Sequence, residues 1–162
     1  MTKLIIINGA PGVGKSTVGS LLFSKLSNSA FLDGDSVWRI NPFEVNVKTK
    51  KIVVQNIAFV LRNYIEAGYE YVILAWVLHR QTIIDRLLSK LDDFKVKVYV
   101  FTLVADEETL VDRVRADAKT KRNHEIAKDR LRQSLELRSK KLDTTVLEPD
   151  EIVDIILEAV TR

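Results

Sequence analysis

The residues Gly9-Ala10-Pro11-Gly12-Val13-Gly14-Lys15-Ser16 follow the spacing G-x-x-x-x-G-K-[ST]. The chemistry this spacing serves is phosphate binding. Glycines let the backbone turn so that successive N–H groups point at one anion, and a helix starting at the lysine adds its positive N-terminal end. In such a loop Lys15 reaches the β- and γ-phosphates of a bound nucleoside triphosphate as a point charge. The Ser16 hydroxyl, followed by Thr17, is placed to ligate Mg²⁺. The flanks agree, with the apolar run Leu4–Ile7 before the loop and an amphipathic stretch after it. A chance glycine turn, or a loop that binds without turnover, would carry the same letters.

A second constellation is Phe31-Leu32-Asp33-Gly34-Asp35, with Arg39 four residues on. Asp33 is expected at the carboxyl end of the second strand, where ligands collect in open α/β sheets. A carboxylate there can organise the water shell of Mg²⁺. Asp35, two residues later, can face an acceptor hydroxyl and take its proton as a phosphoryl group arrives. Asp-Gly also ends strands in ordinary Asx turns. The neighbouring phosphate loop favours the chemical reading, because both would share one crevice. The third strand ends Leu74-Ala75-Trp76 without an acidic residue, so Asp33 is the expected carboxylate for the metal. A third feature is basic: Arg113 and Arg115, then Lys119, Lys121, Arg122 and His124. These residues form either a lid whose cations meet the transferring phosphate or a solvated connection between helices.

The elements that must position these groups alternate strand and helix, which argues for a parallel sheet covered on both faces. Strands are expected at 4–7, 30–32, 71–76, 95–103 and, last, 143–146. Helices are expected at 15–27, 48–67, 81–91, 106–118, 125–141 and 152–160, with Gly68 stopping the second and Pro149 opening the last. Trp38, Trp76, His79 and Arg80 then lie just past strand ends on the ligand side. For the two tryptophans, packing and substrate contact are both open.

The 162 residues suit one domain, 1–162, and carry no cysteine, which excludes a disulfide framework and a cysteine nucleophile. No apolar run approaches the roughly 18 residues of a membrane span, and Thr2 and Lys3 lead straight into a strand rather than a signal peptide. The expected location is therefore cytoplasmic. A net charge of +3 is too slight to indicate nucleic acid. Two histidines, far apart, suggest no zinc site.

With its phosphate loop and Asp33-x-Asp35 pair, the chain resembles the small P-loop metabolite kinases: shikimate kinase, gluconate kinase, adenylylsulfate kinase and the related antibiotic phosphotransferases. Leu32–Val37 followed by Arg39 is similar to the adenylylsulfate kinase segment, and Ala75–Leu87 is similar to the gluconate kinase stretch after its third strand. The resemblance implies a P-loop NTPase three-layer sandwich, a five-stranded parallel sheet in the order 2-3-1-4-5 and a short basic lid. It implies ATP with Mg²⁺, and transfer of the γ-phosphate to a small molecule. Lys15, Asp33, Asp35 and Arg122 would be catalytic, with Ser16 and Asp33 at the metal. Gly9 to Thr17 and Arg113 would hold the nucleotide, Arg113 by stacking on adenine, and Asp35, Arg39 and Arg80 would hold the acceptor. The partner is a small-molecule substrate, not nucleic acid or membrane, and the state is monomer or homodimer. A nucleoside monophosphate kinase, with Arg39, Arg80 and Arg86 on the acceptor phosphate, is the first alternative. An ATP-binding sensor without transfer activity is the second.

Overall fold

A computed structural model describes residues 1–117 and 123–162 of the chain. Five strands, β1 (Thr2–Gly9), β2 (Ser29–Asp33), β3 (Tyr71–Trp76), β4 (Val96–Val104) and β5 (Lys140–Asp143), form one sheet in the order β2-β3-β1-β4-β5. Every pairing is parallel, and β1 lies at the centre, pairing Leu4 with Val72 on one side and with Val98 on the other. The expected strand order is therefore observed.

Alternation along the strands divides the core in two. Leu4, Ile6, Val72 and Leu74 pack on one face against α2 (Val47–Glu66) and α3 (Gln81–Leu88) through Val53, Ile57, Leu61, Ile84 and Leu87. Ile5, Ile7, Ile73 and Leu103 pack on the other face against α1 (Lys15–Lys25), α4 (Glu107–Ala116), α5 (His124–Leu135) and α6 (Pro149–Thr161). A strand buried on both sides must be apolar at successive positions, which is why Leu4–Ile7 reads as an unbroken run. Each fully buried aliphatic side chain contributes about 1.5–3 kcal/mol.

Local signals set the helix ends. Asn46 caps α2 by accepting from Thr49 N at 3.0 Å, while the Thr49 hydroxyl accepts from Asn46 N at 3.0 Å. Asp106 caps α4 through Thr109 N at 2.8 Å.

Two expectations are corrected. The fifth helix stops at Leu135 rather than running to Lys141, and the last strand is Lys140–Asp143 rather than 143–146. The ladder pairs Phe101 with Lys140 and Leu103 with Leu142, so Leu142 turns inward and is buried. Edge strands tolerate lysines, and Lys140 and Lys141 hide the strand from a search for apolar runs. Val146 lies in the following turn and is exposed.

Candidate functional site

The site begins where β1 ends. Gly12 and Gly14 adopt φ of +89° and +99°, left-handed values that glycine takes without steric cost, and α1 begins directly after them at Lys15. Successive N–H groups of such a turn, with a helix N-terminus beneath, make an anion cradle. Lys15 folds back over the loop, its Nζ donating to the Ala10 carbonyl at 2.9 Å.

β2 lies two positions from β1, with β3 between them, so the two loops meet across the end of β3. Asp33 joins them. Its Oδ2 accepts from the Ser16 hydroxyl at 2.5 Å, and its Oδ1 accepts from Asp35 N at 3.1 Å. The second contact caps a 3₁₀ turn, Gly34–Val37, that carries Asp35 forward. From the end of β3, Trp76 Nε1 donates to Asp35 Oδ1 at 3.2 Å. Gly34 gives the indole room, for a Cβ there would lie 2.5 Å from Trp76 Cγ. Ser16, Asp33, Asp35 and Trp76 are thus one connected polar group.

This donor set fits Mg²⁺. Among the described residues no group of three or more His, Cys, Asp or Glu could hold a metal alone. A single hydroxyl beside a carboxylate suits an ion that keeps most of its waters and takes further oxygens from phosphates.

Asn8 carries part of the site, and sequence reading passed over it. It is fully buried, accepts from Leu78 N at 2.6 Å through Oδ1, and donates from Nδ2 to Thr102 Oγ1 at 3.4 Å. It therefore binds the segment leading to His79 and Arg80 to the residue that precedes the phosphate loop. A polar residue closing an apolar run just before the first glycine was the available signal. Asn8→Ala leaves the buried Leu78 N–H without its acceptor, at a cost of about 1–3 kcal/mol. The check is a lowered urea midpoint with an unchanged slope.

His79 is half-buried and its Nδ1 has no hydrogen-bond partner among the described residues. Burial, then the nearby charges of Arg130, Arg80 and Lys50, push its pKa down from 6.5 to about 4, with Asp129 opposing. The folded protein thus holds the ring neutral at pH 7. Between about pH 6.5 and 4 the unfolded chain binds the extra proton, so this group makes stability fall as the pH drops through that window. His79→Gln is expected to flatten that part of the profile, measured as urea midpoints at pH 7 and pH 5.

The remaining sequence candidates are dispersed. Arg80 is exposed at the start of α3. Arg39 lines an open groove with Ser36, Val37, Asn56, Phe59 and Val60, to which no phosphate-loop residue contributes. Trp38 packs edge-on against Trp76 at 6.1 Å and Phe43 at 5.4 Å between ring centroids, joining the core on the α2 face. Arg113 lines a cleft of about 260 Å³ with Gly12, Thr17, Thr144, Leu147 and Pro149. Arg115 is exposed on α4, and His124 opens α5 with its Nε2 3.3 Å from Glu125. The candidate lid residues Lys119, Lys121 and Arg122 lie outside the described residues. No helix among the described residues is long and apolar enough to cross a membrane.

The fold recurs in known structures. A tunicamycin resistance protein of Deinococcus radiodurans matches with a TM-score of 0.74 and 22% identity over 99% of this chain and 96% of that one. A gluconokinase of Sinorhizobium meliloti matches at 0.73 and 17%, covering 99% and 92%. A sugar kinase from a Janibacter species matches at 0.71 and 15%, covering 98% and 94%. No curated protein sequence matches. These likenesses, at low identity, show the fold, and it is the fold that the resemblance to small P-loop kinases implied. Residues 5–140 match the AAA domain family, which includes both the phosphate loop and the Asp33–Asp35 turn, and the chain belongs to that family.

Proposed function

We propose that the protein transfers the γ-phosphoryl group of ATP, in its Mg²⁺ complex, to a hydroxyl of a small molecule. The observation that carries this reading is the chain of contacts from Ser16 through Asp33 to Asp35, which couples the phosphate loop to a turn that bears a second carboxylate. The kinases among the structural neighbours support it by analogy of fold.

The loop N–H groups and Lys15 bind and orient the triphosphate. Ser16 Oγ would hold Mg²⁺ directly and Asp33 through the metal's water shell. The ion would supply neutralising charge across the β- and γ-oxygens. Asp35 accepts the acceptor's hydroxyl proton on a carboxylate oxygen. Meanwhile the acceptor oxygen bonds to the γ-phosphorus, and the bond from that phosphorus to the bridging oxygen breaks, releasing ADP. The Trp76 N–H holds Oδ1, which leaves Oδ2 for the proton. Arg113 faces the base from its cleft, and Arg39 and Arg80, after β2 and β3, are our candidate acceptor contacts, although Arg39 lines a groove apart from the phosphate loop. Arg122 is our candidate for the lid cation.

The test is transfer of γ-labelled phosphate from Mg-ATP to a broad metabolite panel, with Lys15→Ala alongside. A labelled acceptor that disappears in the variant supports the reading. No label on any acceptor, with ATP binding established separately, counts against it and favours a sensor.

A further inference from the structure

Arg113 is not a loose surface arginine. It reaches from α4 to Thr144, one residue past the end of β5, and Thr144 receives it twice. Nη1 donates to Thr144 Oγ1 and Nη2 to the Thr144 carbonyl, both at 2.8 Å. Thr144 is anchored in turn. It is 8% exposed, its N–H donates to the Val104 carbonyl at 2.8 Å, and its hydroxyl donates to the same oxygen at 3.0 Å. The hydroxyl thus spends its one proton on the sheet and offers a lone pair to the arginine.

Two contacts from different nitrogens to one residue fix both the position and the plane of a guanidinium, whereas a single contact leaves it free to swivel. Arginine otherwise carries one of the larger side-chain rotamer entropies. A face held before the ligand arrives loses less of that on binding. The cleft beside it is lined by Gly12, Gly14 and Thr17 of the phosphate-loop region and by Leu147, Glu148 and Pro149. That combination of an apolar wall, a flat cation and an adjacent anion cradle suits a planar heteroaromatic ring joined to phosphates.

We propose that Thr144 is the positioning residue that holds Arg113 as a preformed face for the nucleotide base, so that the β5–α6 connection sets base affinity while the phosphate loop sets phosphate affinity. The proposal rests on the nucleotide reading of the site given above. It assigns Thr144 no contact with the reacting atoms.

The test compares ATP with inorganic tripolyphosphate, which carries the phosphates and no base. Calorimetry in Mg²⁺ buffer measures both for the native protein, Thr144→Ser, Thr144→Val, Arg113→Ala and the Thr144→Val/Arg113→Ala double variant. Expected is a loss of about tenfold in ATP affinity for Thr144→Val and for Arg113→Ala, in the range of a cation–π contact. The double variant loses no more than either single one. Tripolyphosphate affinity stays native throughout, and Thr144→Ser, which keeps the hydroxyl, binds ATP as the native protein does. If Thr144→Val lowers both ligands together, the residue only supports the fold, and the proposal is overturned. If Arg113→Ala alone weakens ATP, Arg113 meets the base without needing Thr144, which also overturns it. If neither single variant changes ATP affinity, the base reading of the cleft fails and takes the proposal with it. Tripolyphosphate binding that is lost in Lys15→Ala would still uphold the phosphate loop in that case.

Discussion

Lys15→Ala is expected to lower phosphoryl transfer by about 10²–10³-fold, the range seen when one preorganised donor to a developing negative charge is removed. Lys15 opens α1 immediately after the left-handed Gly14, so its stem leaves the helix at the point where the loop closes. Its Nζ lies 2.9 Å from the Ala10 carbonyl, spanning the loop from one side to the other. An ammonium in that position can move from a carbonyl to a phosphate oxygen without moving the backbone. Losing the Ala10 contact costs only about 0.5–1.5 kcal/mol, because the Lys15 side chain is partly exposed and the buried Ala10 carbonyl still accepts from Val13 N at 3.4 Å. Urea denaturation should therefore show a folded variant while the transfer assay shows an inactive one. Turnover at the native rate in Lys15→Ala would mean that the loop does not hold the transferring phosphate.

The phosphate loop was legible in the sequence because its chemistry depends on backbone conformation, and glycine spacing reports backbone conformation directly. The central strands were legible for a similar reason: burial on both faces demands apolar residues at every position from Leu4 to Ile7. Signals failed where a residue acts through its neighbours across the sheet. Asn8 resembles any polar residue at a strand end until β3 brings Leu78 N to within 2.6 Å of it. β5 was misplaced because a parallel edge strand needs only one inward residue, and Leu142 alone gives no periodicity. Thr144 was invisible for the same cause, since its value lies in the 31-residue separation from Arg113 that folding closes. Asp33 was placed correctly at a strand end. Its contact with Ser16, however, depends on the strand order, which brings β2 and the phosphate loop together over the end of β3.

Asp35→Asn is expected to keep ATP affinity within about twofold and to lower turnover by about 10²–10⁴-fold, the contribution of a positioned general base. The two halves of that expectation come from different contacts. Asp35 is tied to Asp33 by its main-chain N–H, which the substitution leaves intact, so Asp33 and its bond to Ser16 keep their places. An asparagine can still present Oδ1 to Trp76 Nε1, so the side chain keeps its orientation as well. What disappears is the second carboxylate oxygen and with it the capacity to take a proton. Trp76→Phe provides the complementary case. A smaller aromatic ring replaces the indole and the N–H is lost, which leaves the base present but free to rotate, and a smaller decrease of about 2–12-fold is expected from one hydrogen bond. Single-turnover transfer from labelled ATP measures both, with nucleotide affinity read separately by calorimetry. A large loss for Asp35→Asn with a small one for Trp76→Phe assigns the proton to Asp35 and its aim to Trp76. Equal losses would mean that the pair matters for the shape of the crevice, and native turnover in Asp35→Asn would move the base to another residue.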